Sequence, residues 1–195
     1  MTVEAIRRSP LGDNDFTALA PALLVVERPF LTHLTVRGAD AGLGAALGVE
    51  LPSAACTFTS GASPFGPVQV AWMGPDELLV LAPADVQVEL EALVRQYAGA
   101  VVDVSAQRTT VELSGPHVRD VLAHGCSIDL HPTSARTGTC VQTLLARTGI
   151  VLLVRDAGRG EFTVLVRSSF AAYFAAWLTD AALEYQLPQL AVELR

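Results

Sequence analysis

The chain has 195 residues and a net charge of −7, with 51% hydrophobic but only 17% charged residues and a mean hydropathy of +0.40. That length suits one domain or two closely joined halves with a large core, and the acidic sum without a basic stripe argues against nucleic-acid binding. No apolar run reaches the ~18 residues a membrane helix needs, so the apolar excess has two readings: an alanine- and valine-rich interior, or apolar surface kept for a protein partner.

At the N-terminus, Met1 to Arg8 has no hydrophobic signal core. With three cysteines, an odd number, this fits a reduced, cytoplasmic setting. Residues 1–30 read as an arm: Ser9 to Asp15 is loop chemistry, and the apolar run Leu23-Leu24-Val25-Val26 is broken at Pro29. Such an arm is either pinned to its own domain or laid on a neighbour. Leu34-Thr35-Val36-Arg37-Gly38 alternates as a half-buried strand does, and Leu43, Ala46 and Leu47 share one helical face. Ser60 to Pro67 reads as a turn-rich loop. Val68 to Trp72 and Leu78 to Leu81 form a hairpin across Gly74-Pro75-Asp76-Glu77, and a helix follows on Val86, Leu90, Leu93, Val94 and Tyr97.

Val101 to Pro132 then repeats the opening pattern. Val111 and Leu113 lie on one face of a strand; Gly115 permits a sharp turn, and Pro116 suits a first helical position. Val118, Val121 and Leu122 make a short helical face that Gly125 closes. Thr139 to Arg147, Ile150 to Arg155 and Glu161 to Arg167 are strands, with a turn over residues 156–160. Ser168 or Ser169 can cap a last helix whose apolar stripe runs through Phe170, Tyr173, Phe174, Trp177, Leu178 and Ala181. That stripe reads as core.

The fold class expected is therefore α+β: two ferredoxin-like βαββα pseudo-repeats, with antiparallel-rich sheets and helices packed on one face. The organisation expected is an arm (1–30), a single domain (31–185) with halves of about 31–100 and 101–185, and a tail (186–195) able to add a final strand.

Several separated motifs carry a resemblance. Asp103-Val104-Ser105, the strand Thr110 to Ser114, Gly115-Pro116 and Val121-Leu122 resemble the aminomethyltransferase fold of the glycine cleavage T-protein, in particular its N-terminal domain. Within that fold, Val102 to Thr110, Gly125-Cys126, Ile128 to Pro132, Gly138 to Ala146, Leu165 to Phe170 and Arg7 to Leu11 resemble the gamma subunit family of heterotetrameric sarcosine oxidase. The resemblance implies an oxidase complex that demethylates sarcosine to glycine and makes peroxide and a folate-linked one-carbon product. It implies FAD, FMN, NAD and tetrahydrofolate on partner subunits, none bound by this chain. The partners implied are larger alpha and beta flavoprotein subunits and a small delta subunit.

T-protein relatives hold folate with acids after a Gly-Ile strand entry. Here Thr148-Gly149-Ile150-Val151-Leu152-Leu153-Val154 puts valines and leucines there, and an apolar side chain can neither bind a pterin N–H edge nor stabilise charge on it. Gly125-Cys126 lacks the Gly-Gln that follows it in the fold's iron–sulfur-maintenance relatives. His124, Cys126, His131 and Cys140 match no zinc spacing. Cys126 reads as a small buried hydrophobe, and Asp103 as a turn cap or a partner of Arg108, not part of a triad. Gly158-Arg159-Gly160 is a hairpin turn, not a phosphate cradle. No catalytic, cofactor-binding or metal residue is assigned. The reading is a non-catalytic subunit acting in assembly and stabilisation; the alternative is a free-standing folate-dependent aminomethyltransferase-like enzyme, revived if the chain alone binds folate tightly.

Overall fold

The computed structural model describes residues 6–186. The expected final strand of the 186–195 tail lies almost wholly outside them. Two five-stranded antiparallel sheets make up the fold. The first contains β2 (Leu31–Ala39), β3 (Phe58–Ser63), β4 (Gly66–Gly74), β5 (Glu77–Ala84) and β6 (Ala98–Asp103), in the order β3-β4-β5-β2-β6. The second contains β1 (Leu24–Arg28), β7 (Arg108–Ser114), β8 (Cys140–Leu145), β9 (Thr148–Asp156) and β10 (Glu161–Arg167), in the order β1-β7-β10-β9-β8. Helices α1 (Gly42–Leu47) and α2 (Gln87–Val94) cover the outer face of the first sheet, and α3 (Val118–Ala123) and α4 (Ala171–Ala182) that of the second.

Side-chain alternation builds the layers. Leu34, Val36, Val70 and Val80 point under α1 and α2, against Leu43, Leu47, Leu90 and Val94. Val111, Leu113, Leu152 and Val164 point under α3 and α4, against Val118, Leu122, Phe174 and Leu178. The residues between them in sequence face the other sheet: Phe58, Ala71, Leu79 and Leu81 meet Cys140, Val151, Leu153 and Leu165. Central strands are thus covered on both sides, which is why β5, β9 and β10 read as continuous apolar runs rather than alternating ones. Each fully buried Leu or Val contributes about 1.5–3 kcal/mol.

The halves repeat in register. Leu34 pairs with Val80 and Val80 with Val70; Val111 pairs with Val164 and Val164 with Leu152. They join about a pseudo-twofold centre at the Thr57–Thr139 bridge. Phe58 N–H donates to the Gly138 carbonyl at 2.8 Å, and Cys140 N–H donates to the Cys56 carbonyl at 2.8 Å. Trp72 N–H reaches the Thr57 carbonyl at 2.9 Å, matched by Val154 N–H to Thr139 at 2.8 Å.

Several local expectations change. Most of the stretch expected as a loop, Ser60 to Pro67, is strand: β3 and β4 extend through it, and only Pro64-Phe65 turn. Each half therefore has three strands between its helices. Gly61 belongs in β3 because a Cβ there would lie 3.0 Å from Val49 and 3.1 Å from the Gly48 carbonyl, a close approach that makes a strand glycine. The apolar part of the 1–30 stretch is β1, hydrogen-bonded to β7 from Leu24↔Ser114 to Arg28↔Thr110. It occupies the edge that β6 holds in the first sheet, so the second sheet takes its fifth strand from the start of the chain.

Helix ends also differ. Pro116 lies in the turn before α3, whose N-cap is His117. Gly115 is needed there: its φ is +117°, and a Cβ would sit 2.8 Å from the Ala22 carbonyl. Gly125 is not a left-handed cap; a Cβ would come within 2.7 Å of Trp177 and 2.8 Å of the Ala146 nitrogen. Neither Ser168 nor Ser169 caps α4. Phe170 is the N-cap residue, and the Ser168 hydroxyl donates to the Ala106 carbonyl at 2.9 Å.

Candidate functional site

Asp103 and Ser105 stand where the first sheet hands over to the second. The Asp103 carboxylate accepts the Ser105 N–H at 2.9 Å and its hydroxyl at 2.5 Å, a turn cap. Ser105 Oγ in turn accepts the His33 N–H at 3.0 Å. Arg108 bonds Gln107 at 2.6 Å, and among the described residues no ion pair links it to Asp103. Of the two roles expected for Asp103, the turn cap is the one found.

His33 was not singled out in the sequence. It is 1% exposed, and its Nε2 lies 3.1 Å from Thr110 Oγ1, the pseudo-equivalent residue of β7. Its Nδ1 has no hydrogen-bond partner among the described residues. Burial, with the Arg108 charge second, pushes its pKa down to about 4 against a partial pull from Asp103, so the ring is neutral near pH 7. A cavity of about 400 Å³ opens at the Asp103–Ser105 turn, lined by Arg7, Arg8, Phe30, Asp103, Ser105 and Arg108 among others; His33 is not part of its lining. Arg7 is already engaged there, paired with Asp85 at 2.8 Å and stacked 4.6 Å over Phe30.

The Ile150 to Val154 stretch, where the T-protein resemblance leads one to expect acids, is the middle of β9. Val151 and Leu153 lie between the sheets and Leu152 and Val154 under the helices, all at most 2% exposed. A carboxylate there would be desolvated on both faces. These residues do not fit folate. The four His and Cys residues weighed for zinc stay apart. Cys126 packs in the second helix-facing core and Cys140 between the sheets; His124 contacts Tyr185 and Glu184, and His131 contacts Thr133. Burial, with Cys56 second, pushes the Cys140 thiol up to about 12, far from a reactive thiolate.

Two further depressions occupy equivalent ends of the two sheets. One, of about 480 Å³, contains Arg108, Leu144, Gly149 and Arg167. The other, of about 830 Å³, contains the pseudo-equivalent Leu31, Ala62, Pro67 and Pro83. The cationic row went unnoticed in sequence because nothing local pairs Arg108 with Arg167; only the β7–β10 register sets them opposite each other.

The comparisons agree with this geometry. The profile of the sarcosine oxidase gamma subunit family matches residues 37–184. The chain belongs to that family. It is 35% identical to the sarcosine oxidase subunit gamma of an Arthrobacter species, covering 96% of this chain and 95% of that one. The subunit gamma of Corynebacterium sp. (strain P-1) is also 35% identical, over 93% and 92%. A chain of the heterotetrameric sarcosine oxidase from Corynebacterium sp. U-96, solved with pyrrole 2-carboxylate, superposes with a TM-score of 0.81 at 30% identity, covering 95% of this chain and 99% of that one. The glycine cleavage aminomethyltransferase T of Bartonella henselae shares the fold, with a TM-score of 0.59 at 14% identity over 83% of this chain and 46% of that protein. The family match favours a gamma subunit over the free-standing transferase. No helix among the described residues is long and apolar enough to cross a membrane.

Proposed function

We propose that this chain is the gamma subunit of a cytoplasmic heterotetrameric sarcosine oxidase and acts in its assembly and stabilisation, without catalytic residues of its own. The partners are larger alpha and beta flavoprotein subunits and a small delta subunit. They carry FAD, FMN, NAD and tetrahydrofolate, and the complex demethylates sarcosine to glycine with formation of peroxide and a folate-linked one-carbon product. The observation that carries the proposal is a family match spanning both sheets, in a fold whose ancestral acidic strand is here a buried apolar one. Its apolar composition, with residues such as Val102 and Leu144 more than half exposed, supports a role at an interface.

Co-expression tests it. The tagged full chain should purify with large, yellow, flavin-bearing subunits that oxidise sarcosine, while the chain alone shows no turnover and no tight folate binding. A chain that recovers no flavoprotein, or turns over alone, overturns the proposal.

A further inference from the structure

Arg108, Arg167, Gly149 and Leu144 form one row across four strands of the second sheet. Arg167 lies directly opposite Arg108 in the β7–β10 register, and Leu144 opposite Gly149 in β8–β9. Two cations placed opposite each other in a sheet repel. The described ion pairs engage Arg7, Arg28, Arg37, Arg95, Arg155 and Arg159, and neither member of this pair. The fold does not demand the cations: the matching end of the first sheet carries Leu31, Pro83, Pro67 and Ala62, with a register shift that sets Leu31 opposite Ala84.

Gly149 is equally unforced. Its φ is not left-handed, and a Cβ there would meet nothing within 4 Å. A strand glycine with no crowding to explain it marks a place where another group comes close to the backbone. The rim is mixed: the polar Ser127, Gln142 and Thr143 line it beside Leu144, which is 58% exposed, and Ile128, at 37%, follows Ser127 in the chain. Tyr173 of α4 stands beside the β8–β9 turn, its hydroxyl accepting the Arg147 N–H at 3.3 Å. An arginine pair with no ion-pair partner among the described residues, beside an exposed leucine and a polar rim, is the composition of a protein–protein interface, where arginine is enriched.

We propose that this row is a docking site for a carboxylate side chain of a larger subunit of the complex, held by Arg108 and Arg167 above the bare backbone at Gly149. The inference rests on the subunit reading above. The guanidinium pair supplies planar donors suited to a carboxylate. A carboxylate carried on a protein surface would also cover Leu144 and Ile128, whereas a small free acid would leave them in water.

The test is recovery of the partner subunits by the tagged full chain, comparing wild type with Arg167→Glu, Arg108→Glu and Gly149→Val. Val suits a strand and fills only open space, so Gly149→Val should melt at or above the wild-type temperature. Recovery should fall at least tenfold in each variant, with unchanged circular dichroism. A partner acid changed to Arg should restore binding to Arg167→Glu. If the wild type recovers no large subunit, the subunit reading fails and takes this inference with it. If it does, and folded Arg167→Glu and Gly149→Val recover wild-type amounts, the docking site alone is overturned. Binding of acetate or citrate to the free chain that is lost in Arg167→Glu, with assembly unchanged, would instead assign the row to a small carboxylate and equally overturn it.

Discussion

The two halves share strand order, helix placement and, up to a register shift at Leu31, strand pairing, yet they diverge at equivalent sheet ends. In the first half that end is lined by Leu31, Pro83, Pro67 and Ala62; in the second it is lined by Arg108, Arg167, Gly149 and Leu144. The interiors diverge far less: Leu34 and Val111, Val36 and Leu113, Val80 and Val164 are all fully buried. Packing density keeps the buried positions alike, because a change of even one methylene is felt there. The solvent-facing ends are free to change sign and polarity, so that is where the halves can acquire different tasks.

The halves should also differ in how they tolerate damage. The largest effect is expected at Phe162, fully buried beside Leu113, whose counterpart beside Val36 is the half-buried Leu78. Phe162→Ala should cost about 4 kcal/mol and Leu78→Ala about 1, read from urea midpoints. Equal costs would break the picture of a second half with the deeper core.

His33 comes next, because it faces Thr110, its own counterpart. The folded protein keeps the ring neutral down to about pH 4, whereas the unfolded chain takes up its proton near pH 6.5. Stability is therefore lost as pH falls through that window, by about 3 kcal/mol in all. In His33→Thr, which makes the halves alike, this part of the slope should vanish from denaturation curves taken between pH 7 and 4.

Gly48 and Gly125 both follow a short helix, for different reasons. Gly48 has a φ of +68° and would also press on the Ala62 carbonyl at 2.8 Å, whereas Gly125 is only crowded. Alanine at either should cost about 2 kcal/mol by thermal melts. Repacking around Trp177 should lessen the loss at Gly125 alone. The smallest effect is expected for Arg28→Ala, which breaks the exposed Arg28–Glu112 pair linking β1 to β7. It should cost less than about 1 kcal/mol, and less again in high salt.

Much of this fold was legible from periodicity and punctuation. Strands β2, β4, β5, β7, β8, β9 and β10 and the four described α-helices announce themselves in the sequence through alternation, apolar runs or helical faces. β3 did not, because Ser60, Gly61, Ala62 and Ser63 carry turn chemistry and are held as a strand by β4 and by the close pass of Val49. β1 was visible as an apolar run, but its sheet was not, since Leu24 to Arg28 pairs with residues more than eighty positions later. In the candidate site, the apolar character of β9 was readable at once, as residue identity alone decides it. His33 was not, because burial and an unpartnered Nδ1 arise only when β2 meets β7 across the pseudo-twofold centre.

By itself the sequence determined the duplicated pattern of strands and helices, the apolar character of β9 and the family resemblance, because each depends on residue type and short-range spacing. Tertiary structure alone decided which strand completes the second sheet, which histidine is buried, and that two arginines fifty-nine positions apart stand side by side. Strand pairing is long-range: register, not proximity in the chain, selects which side chains share a face.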